Sequence, residues 1–514
     1  MKCFFHNLKF DGRFLLDWLL KNGYQHTTER GLQVGDFTTL ISDMGTFYSI
    51  RVKWDNGHTT EFVDSLKKIN MPVSAIAKAF QLGETKGDIE YTDYRAPGHA
   101  LTDKELDYLK RDVLIVAKAM KEVLDSGMSK MTVASDCMHE YRTLTGDKMF
   151  NRLFPILSES MDAEIRRAYR GGWTYADPRF KSRLVGSGLV YDVNSLYPYI
   201  MRSRLLPYGE PEWADGKVEG TETHPLTIFS VTFTARIKAD HVPCIQIKKS
   251  MLFGSVDYLS IIDEPVTLMV SNVDWALYND HYDIDILAYG GGWRFHATYG
   301  MFDDYVDKWA EIKAASTGGR KEIAKSHLNN LYGKFATNPQ VSSKIPVLDG
   351  DIVRLVTGMD ETRPPVYTAV GVFTTAYARD MTIRAAQQNY SVFAYADTDS
   401  LHLLQDEEPD SLEVHPTKLG AWKLEYAFDA AFYIRPKGYM ERAISDHCVH
   451  EPDELDKHGD WCRYVTKIAG LPIRVTSRMM FDDLVDGKEM VGKLKPKTVA
   501  GGVVLLPEPF TIKL

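Results

Sequence analysis

The chain has 514 residues, of which 44% are hydrophobic and 25% are charged, and its net charge is −9. This length exceeds what one hydrophobic core organises, so several domains are expected, and the composition is that of a globular protein rather than a disordered one. The sequence has no run of about 18 apolar residues and no signal-peptide pattern at its start, so we expect neither a membrane span nor secretion.

The basic residues are unevenly distributed along this acidic chain. From Lys313 to Lys334 there are five Lys/Arg and one acid, Glu322, and residues 463–497 hold eight Lys/Arg and four acids. A protein can bind phosphates in a basic groove while an acidic exterior keeps it soluble. Net charge alone therefore leaves open whether nucleic acid is a partner.

The first part of the chain mixes strand and helix patterns. Within residues 1–132, strand-like runs (TTLISDM, FYSIRVKW) alternate with helical ones such as DYLKRDVLIVAKAMKEVL, which indicates an α/β or α+β module. Residues 186–201, GSGLVYDVNSLYPYIM, are predicted as a strand that enters a turn and then a helix. A β-rich stretch follows, beginning with LTIFSVTFTARIKA.

Three further elements are predicted in the second half. Residues 318–333, GGRKEIAKSHLNNLYG, form a predicted helix closed by Gly333. Residues 337–364 are punctuated by Pro, Gly and Asp and are predicted as an inserted loop or hairpin. The last 45 residues combine basic and β-prone sequence.

Two aspartates interrupt the apolar stretch FAYADTDSLHLL at residues 393–404. Side chains two apart in a strand point the same way, so we expect Asp397 and Asp399 to share a face. Neighbouring carboxylates need a cation, a shared proton or water, and a hard divalent cation suits small neighbours at a hairpin tip. The alternative is a solvated turn, because Asp, Thr and Ser are common turn residues.

A third aspartate stands at the end of another predicted strand. Asp192, in YDVNSLYP, ends an apolar run and is followed by Tyr197; a turn with a helix N-cap is the alternative interpretation. Three carboxylates from two strand ends would suit two Mg²⁺ ions roughly 3.5–4 Å apart, as used for in-line phosphoryl chemistry.

The predicted helix over 318–333 carries a polar stripe. At about 100° per residue, Lys321, Lys325, Asn329 and Tyr332 fall on one narrow face, and Ile323, Ala324, Leu328 and Leu331 fall on a separate apolar arc. A lysine stripe is often only a solvated face. The aromatic and the amide beside the lysines favour a surface for a triphosphate and a base.

In this order, DVNSLYP, KSHLNNLYG and YADTDS resemble motifs A, B and C of family B DNA polymerases. The resemblance extends over essentially the whole chain to the protein-primed polymerases of the phi-twenty-nine type. The segments that carry it are HNLKFDG (6–12), DSLKK (64–68), YLKRD (108–112), AYRGG (168–172), SRLLPYGEP (203–211), MVSNVD (269–274), GVFTTAYAR (371–379), PKGY (436–439) and AGGVVLL (500–506).

This resemblance implies roles for individual residues. Asp192 and Asp399 would be the principal metal ligands and Asp397 would complete the catalytic carboxylates, with two Mg²⁺ ions as cofactors and Mn²⁺ as a substitute. Tyr197 would exclude the ribose 2′-OH, and Lys325 would hold the incoming dNTP together with Lys313 and Lys321. The remaining assignments are a base-pair pocket of Asn329, Tyr332 and Gly333, a template-guiding segment of Tyr169, Arg170, Gly171 and Gly172, and primer contacts from Lys437 and Tyr439.

The resemblance also implies an α+β multidomain fold shaped like a right hand, with two protein-priming insertions and a truncated RNase H-like 3′–5′ exonuclease domain. The first insertion would contact the priming protein and DNA, and the second would aid strand displacement and processivity. The expected divisions are 1–132 exonuclease-like, 133–203 first part of the palm, 204–300 first insertion, 301–336 fingers, 337–368 second insertion, 369–469 second part of the palm and 470–514 thumb.

The exonuclease-like module departs from the family's pattern. Asn7 and Asp11 match the second exonuclease motif, Tyr108 and Asp112 match the third, and Lys86 matches a supporting lysine, but the first motif, a DxE pair, has no counterpart before residue 6. With two of four metal-binding carboxylates absent, we predict little or no proofreading. The missing strands would also leave sheet edges open to aggregation, so a truncated sequence explains the gap at least as well as an evolved loss.

The expected activity is template-directed DNA synthesis from dNTPs, started on a primer 3′-OH or on a hydroxyl of a terminal protein. A nucleic-acid-primed family B polymerase and a catalytically silent scaffold or DNA-binding remnant are the alternatives. A reverse transcriptase is disfavoured because its motif carries adjacent aspartates. The five cysteines are scattered without a Cys-x-x-Cys pair, which indicates a reducing cytoplasm, that of a bacterial host if a phage encodes the protein; a monomer is expected.

Overall fold

The computed structural model describes residues 1–29, 31–83, 86–87, 99–247, 258–444 and 462–514. In the part of the chain thus covered, no helix is long and apolar enough to cross a membrane. The architecture is mixed α and β, and the core is shared among several hydrophobic clusters rather than one, as the length predicts.

The N-terminal module combines a five-stranded sheet with helices, which confirms the predicted mixture. Its elements are β1 (Lys2–Phe5), α1 (Leu8–Lys21), β2 (Gln25–His26), β3 (Asp36–Ile41), β4 (Phe47–Lys53), β5 (Thr59–Asp64), α2 (Val73–Ala79) and α3 (Asp103–Asp125). The strand order is β1-β5-β4-β3-β2, with β1 parallel to β5. Within the described residues β1 and β2 are the two edge strands of this sheet.

The next segment leads into the central sheet. It comprises α4 (Val133–Thr145), α5 (Asp147–Leu153), α6 (Glu159–Arg166), β6 (Thr174–Ala176), β7 (Leu184–Val185), β8 (Gly188–Val193) and α7 (Leu196–Ser203). The predicted strand, turn and helix over 186–201 are confirmed as β8 and α7. β8 reads as a continuous apolar run because it lies in the middle of a sheet buried on both faces.

A separate four-stranded sheet follows, in the order β11-β10-β12-β9. Its elements are β9 (Leu206–Ala214), β10 (Leu226–Ile237), β11 (Ile261–Ser271), α8 (Asn272–His281) and β12 (Tyr282–Thr298). All its strand pairs are antiparallel, and the long β10 lies between β11 and β12. The β-rich character predicted for this stretch is confirmed.

Two helices and a hairpin precede the return to the central sheet. They are α9 (Asp303–Ala315), α10 (Gly318–Phe335), β13 (Gln340–Asp349) and β14 (Ile352–Thr362). The hairpin predicted within 337–364 is confirmed. The predicted helix end at Gly333 is wrong: α10 continues to Phe335, because the buried ring of Phe335 packs among the rings of Phe154 and Phe302 and keeps the last turn helical.

The rest of the chain completes the central sheet and adds a C-terminal unit. Its elements are α11 (Thr368–Gln388), β15 (Phe393–Asp397), β16 (Ser400–Leu403), β17 (Trp422–Arg435), β18 (Gly438–Ile444), β19 (Cys462–Ile468), α12 (Ile473–Thr476), β20 (Glu489–Met490), β21 (Leu494–Val499), β22 (Gly502–Pro507) and β23 (Phe510–Thr511). The central sheet has the order β19-β18-β17-β8-β16-β15-β6, and β7 pairs with β17.

The C-terminal hairpin β21–β22 touches the N-terminal module. The backbone N–H of Gly501 donates to Asp17 Oδ1 at 3.1 Å, and Arg13 Nη1 donates to Thr498 Oγ1 at 3.1 Å. The N–H of Asp43 donates to the carbonyl of Ser342 in β13, part of the second hairpin, at 3.0 Å. Both hairpins are therefore held against the N-terminal module by hydrogen bonds.

Candidate active site

Three strands of the central sheet bring the acidic motifs together. Asp192 on β8 is paired with Ser400 on β16, and Ser400 is also the partner of Asp397 at the end of β15. The N–H of Val193 donates to the carbonyl of Asp399 at 2.8 Å. The two acidic motifs, about two hundred residues apart in the chain, therefore lie on adjoining strands.

The turn between β15 and β16 departs from the expected strand geometry. Thr398 has φ 65°, in the left-handed region, so the alternation that predicted a shared face for Asp397 and Asp399 does not operate there. The turn is held from both sides, since Thr398 N–H donates to the Trp173 carbonyl at 2.7 Å and Thr382 Oγ1 donates to the Thr398 carbonyl at 2.9 Å. The expectation is corrected: the two carboxylates are brought near each other by a tight turn.

The electrostatics of the acids differ. Burial, then the charge of Asp399, raises the pKa of Asp192 to about 8. Burial also raises the pKa of Asp399, with repulsion from Asp397 as a further cause. The charge of Asp397, in contrast, is compensated by hydrogen bonds: Lys437 Nζ donates to its Oδ1 at 2.9 Å and Thr174 Oγ1 donates to the same atom at 3.0 Å. Asp192 and Asp399 are thus the carboxylates whose charges remain unbalanced.

The donor set suits a hard divalent cation. No three His, Cys, Asp or Glu side chains in the described ranges already form a cluster with metal-site geometry. Within those ranges, neither Asp192 nor Asp399 has a Lys, Arg or His within ion-pair distance, although both are half-buried. Two half-buried carboxylates with raised pKa values and no ion-pair partner would be stabilised by a bound cation, and oxygen ligands are those that Mg²⁺ prefers.

Lysines of α9 and α10 lie near these acids. Lys313 Nζ donates to Ser195 Oγ at 3.0 Å, and burial, with repulsion from Lys325 and Lys321, lowers the pKa of Lys313. Lys321 and Lys325 are exposed, and Lys325 forms an ion pair with Glu322 at 3.0 Å. Three members of the predicted stripe, Lys321, Lys325 and Asn329, are exposed on α10, and the fourth, Tyr332, is half-buried. The apolar arc of Ile323, Ala324, Leu328 and Leu331 is buried, as predicted.

An aromatic stack joins α7 to α10. The rings of Tyr197 and Tyr332 lie 4.0 Å apart between centroids at an angle of 23°. Burial, followed by the neighbouring Tyr332, raises the pKa of Tyr197. Gly333, one residue beyond this stack, is exposed, and a Cβ there would meet no atom within 4 Å. Tyr197 and Tyr332 therefore form one rigid aromatic surface beside the acids.

The AYRGG segment lies against the acidic turn. A Cβ on Gly172 would come within 2.6 Å of Thr398 Cγ2, so only glycine fits there. The guanidinium of Arg170 donates to the carbonyl of Met269 at 3.0 Å, and the carbonyl of Gly171 accepts from Arg379 at 2.8 Å. Tyr169, the remaining predicted member, is half-buried.

The PKGY segment approaches the acids from β18. Lys437 has φ 60°, which turns its side chain toward Asp397, and its N–H donates to the Tyr395 hydroxyl at 2.9 Å. Tyr439 is buried, and its ring lies 5.0 Å from that of His402. Both lysine and tyrosine border the cleft over the acids, which has a volume of about 520 Å³.

The exonuclease-motif residues lie in the N-terminal module. Lys86 is 3.7 Å from Asp112 in an ion pair and lies over the ring of Tyr108 at 5.6 Å. Asp112 Oδ1 is buried without a hydrogen-bond partner in the described structure. Burial, with a contribution from Asp64, raises the pKa of Asp11. Asn7 adopts the left-handed conformation and its N–H donates to Asp64 Oδ1 at 3.0 Å.

Sequence reasoning missed several residues that border the cleft. His402, Glu425, Tyr426 and Lys467 line it, and Thr174 contacts one of its acids through the hydrogen bond to Asp397. Lys467 lies in the basic C-terminal stretch, so its charge was a usable signal. His402 follows the acidic turn by three residues on β16, so it too was within reach of sequence reasoning. Thr174 lies on β6, and Glu425 and Tyr426 lie on β17; these strands reach the acids only through the sheet order, which the sequence does not reveal.

Comparison with known proteins assigns the chain to a family. Residues 1–415 match the model of DNA polymerase type B, organellar and viral. This chain belongs to that family. The DNA polymerase of Bacillus phage phi29 is 42% identical over 99% of this chain and 90% of its own, and that of Streptococcus phage Cp-1 is 31% identical over 99% and 87%. The solved phi29 DNA polymerase complexed with primer-template DNA and incoming nucleotides covers 100% of this chain and 91% of that one, with a TM-score of 0.92.

The expected resemblance to protein-primed polymerases of the phi29 type is confirmed by these matches. The mixed multidomain fold of a right-hand polymerase is confirmed by the structural match. The activity follows from the family: the chain is a DNA-directed DNA polymerase, a nucleotidyltransferase of viral replication. Such enzymes use a divalent metal cofactor.

Proposed function

We propose that this polymerase copies DNA by a two-metal nucleotidyl transfer centred on Asp192 and Asp399, and that it starts on a terminal protein. The observation that carries the proposal is the meeting of two half-buried carboxylates, Asp192 on β8 and Asp399 in the turn before β16, that form no ion pair in the described structure. A scaffold gains nothing from such a pair, because burying unpaired like charges costs free energy.

Asp192 and Asp399 would be the principal metal ligands, and Asp397 would complete the acidic site beside them. Two Mg²⁺ ions bound there, with Mn²⁺ as a substitute, would lower the pKa of the attacking hydroxyl and stabilise the negative charge that builds up at the phosphorus. The hydrogen bonds of Asp397 to Lys437 and Thr174 fix its orientation, so it completes the acidic site without being free to bind a cation fully.

The dNTP would lie between α10 and the acids. Lys325, with Lys321 and Lys313, would neutralise the triphosphate, since Lys313 is close enough to Lys325, Lys321 and Asp192 to interact electrostatically with all three. Tyr197 and Tyr332 would pack against the sugar and the base pair, together with Asn329 and Gly333. The phi29 structure holds primer-template DNA and nucleotides, and an equivalent complex is proposed for this chain.

The DNA would run past the glycine-rich and PKGY segments. A Cβ on Gly171 would meet no atom within 4 Å, so this position would leave room for a template strand, while Gly172 lets the segment pack against the acidic turn; Tyr169 and Arg170 would lie beside the strand. Lys437 and Tyr439, at the cleft, would bind the primer end. The domain divisions predicted from the sequence are proposed unchanged; residues 248–257, in the first insertion, and 445–461, in the second part of the palm, lie outside the described structure.

Protein priming and strand displacement are assigned to the two insertions. The four-stranded sheet β9–β12 is the proposed contact for a terminal protein. The hairpin β13–β14, hydrogen-bonded to the N-terminal module through Ser342, would close around the template. We propose that the enzyme acts as a monomer in the cytoplasm of a bacterial host during phage replication.

Primer extension on a singly primed circle tests the polymerase proposal. We expect products much longer than one circle, and we expect Asp399→Ala to abolish them because a metal-binding carboxylate is removed. Asp406→Ala is the matched control, since Asp406 is an exposed acid in the segment that follows β16 and does not line the cleft. Full-length synthesis by Asp399→Ala would contradict the site assignment.

The same preparation tests proofreading. For the 514-residue chain, we propose that Asp11 and Asp112, the residues that match the family's exonuclease carboxylates, support by themselves little metal-dependent excision of a mispaired primer end. Lys86, Tyr108 and Asn7 would then serve only to hold the module together. Robust excision that disappears in Asp112→Ala would show this expectation to be wrong.

A further inference from the structure

A buried polar cluster lies beneath the cleft and has no part in the roles assigned above. Glu441 on β18 and His402 on β16 are each 0% exposed. His402 Nδ1 lies 2.6 Å from Glu441 Oε1, and the hydroxyls of Tyr426 and Tyr433 donate to the same carboxyl group at 2.6 and 2.8 Å. A carboxyl group buried this completely is tolerated only with such a set of partners.

This cluster continues to the PKGY segment through ring contacts. The ring of His402 packs edge-on against Tyr395 at 4.9 Å and against Tyr439 at 5.0 Å. The Tyr395 hydroxyl accepts the backbone N–H of Lys437 at 2.9 Å, at the residue whose left-handed conformation aims the ammonium group at Asp397. An unbroken series of contacts thus joins Glu441 to Lys437.

One atom of the cluster is left unsatisfied. His402 Nε2 is buried, borders the cleft and has no hydrogen-bond partner in the described ranges. A phenyl ring would fill the same space without this penalty, so packing alone does not explain a histidine. What the histidine adds is its Nδ1 contact with Glu441.

We propose that Glu441 and His402 are positioning residues for the primer end, acting through Tyr395 on Lys437 and through ring packing on Tyr439; this rests on the proposed assignment of Lys437 and Tyr439 to the primer. The cluster makes no direct contact with the lysines proposed to bind the dNTP. Lys313 and Lys325 are held by other partners, Ser195 and Glu322. Loosening the cluster should therefore weaken primer-template binding and leave dNTP binding unchanged.

Two variants that remove single polar groups test this inference. His402→Phe keeps a ring between Tyr395 and Tyr439 but loses the contact with Glu441, and Tyr395→Phe loses only the hydroxyl that accepts from Lys437. Each is expected to raise the KM for primer-template by roughly three- to tenfold, the factor that corresponds to one neutral hydrogen bond, with the KM for dNTP unchanged. Glu441→Gln, which keeps an acceptor oxygen and the side-chain shape, is expected to remain near wild type.

Tyr191→Phe is the matched control. Tyr191 is a buried tyrosine next to Asp192 whose hydroxyl has no hydrogen-bond partner in the described structure, so its loss should change neither KM. Equal rises in both KM values, or unchanged kinetics with only a lower Tm, would overturn the positioning role. If His402→Phe fails to fold, Tyr395→Phe decides.

The two proposals fail differently. A wild-type protein that does not extend a primer overturns the proposed function, and the positioning role falls with it. A wild-type protein that extends normally, with variants that bind primer-template as tightly as it does, overturns only the positioning role.

Discussion

Replacing Asp192 with Asn should abolish primer extension. In the absence of metal, the same variant should have a higher free energy of unfolding than the wild type at pH values above 6. The amide cannot bind a metal as a carboxylate does, and loss of several kcal/mol of transition-state stabilisation lowers the rate by about 10³-fold or more. The amide also resembles the protonated acid that the raised pKa of Asp192, about 8, favours in the metal-free enzyme. One substitution is thus expected to have opposite effects on activity and stability.

The sign of the pH effect follows from linkage. The pKa of Asp192 is higher in the folded protein than its ordinary value of 3.8, so the folded state holds the proton over the range in which the unfolded chain has lost it. The stability that this group contributes is complete below its ordinary pKa and is lost as pH rises toward about 8. Each unit of difference corresponds to about 1.4 kcal/mol, an upper bound here because Asp192 and Asp399 interact.

The measurement is the Tm or the free energy of unfolding between pH 5 and pH 8 in EDTA. The wild type should lose stability with rising pH more steeply than Asp192→Asn, and added Mg²⁺ should stabilise only the wild type. Asp406→Asn is the control, because that aspartate is exposed and remote from the cleft. Parallel pH profiles for wild type and Asp192→Asn would contradict the buried, unbalanced charge.

The sequence predicted the residues of the site better than their geometry. The order of the motifs and their residue types predicted Asp192, the lysine stripe and the acidic turn as parts of the candidate site, because each follows a local sequence pattern. The left-handed Thr398 was not foreseeable, since its N–H donates to the Trp173 carbonyl and its carbonyl accepts from Thr382, both outside the local motif. Likewise Glu441 carries no local sign of burial, because its partners come from three other positions that the sheet order brings together.

Fold and helix ends show the same division. The hydrophobic period predicted the helix α10 but not its last two residues. Phe335 is held in the helix by the rings of Phe154 and Phe302, which are far from it in the sequence. Gly333 is a typical stop signal, and tertiary packing outweighs it here.

The largest expected change in specificity comes from Tyr197→Val. The ring of Tyr197 is fixed on one side by α7 and on the other by its stack with Tyr332 at 4.0 Å, so it cannot swing away from a bulkier sugar. Removing it opens the space that a ribose 2′-OH needs, while Asp192 and the lysines stay in place. Discrimination against ribonucleotides should fall by about one to two orders of magnitude, the range that steric rejection by a pocket supplies.

Tyr197→Phe separates the ring from its hydroxyl. Because the phenyl ring keeps the stack with Tyr332, this variant should discriminate as the wild type does, whereas loss of discrimination would assign the selection to the hydroxyl. The measurement is the ratio of kcat/KM for a dNTP and for the matching ribonucleotide, in single-nucleotide extension. A Tyr197→Val enzyme that keeps the wild-type ratio would mean that another group bounds the sugar, since an empty volume beside the acids cannot exclude one oxygen atom.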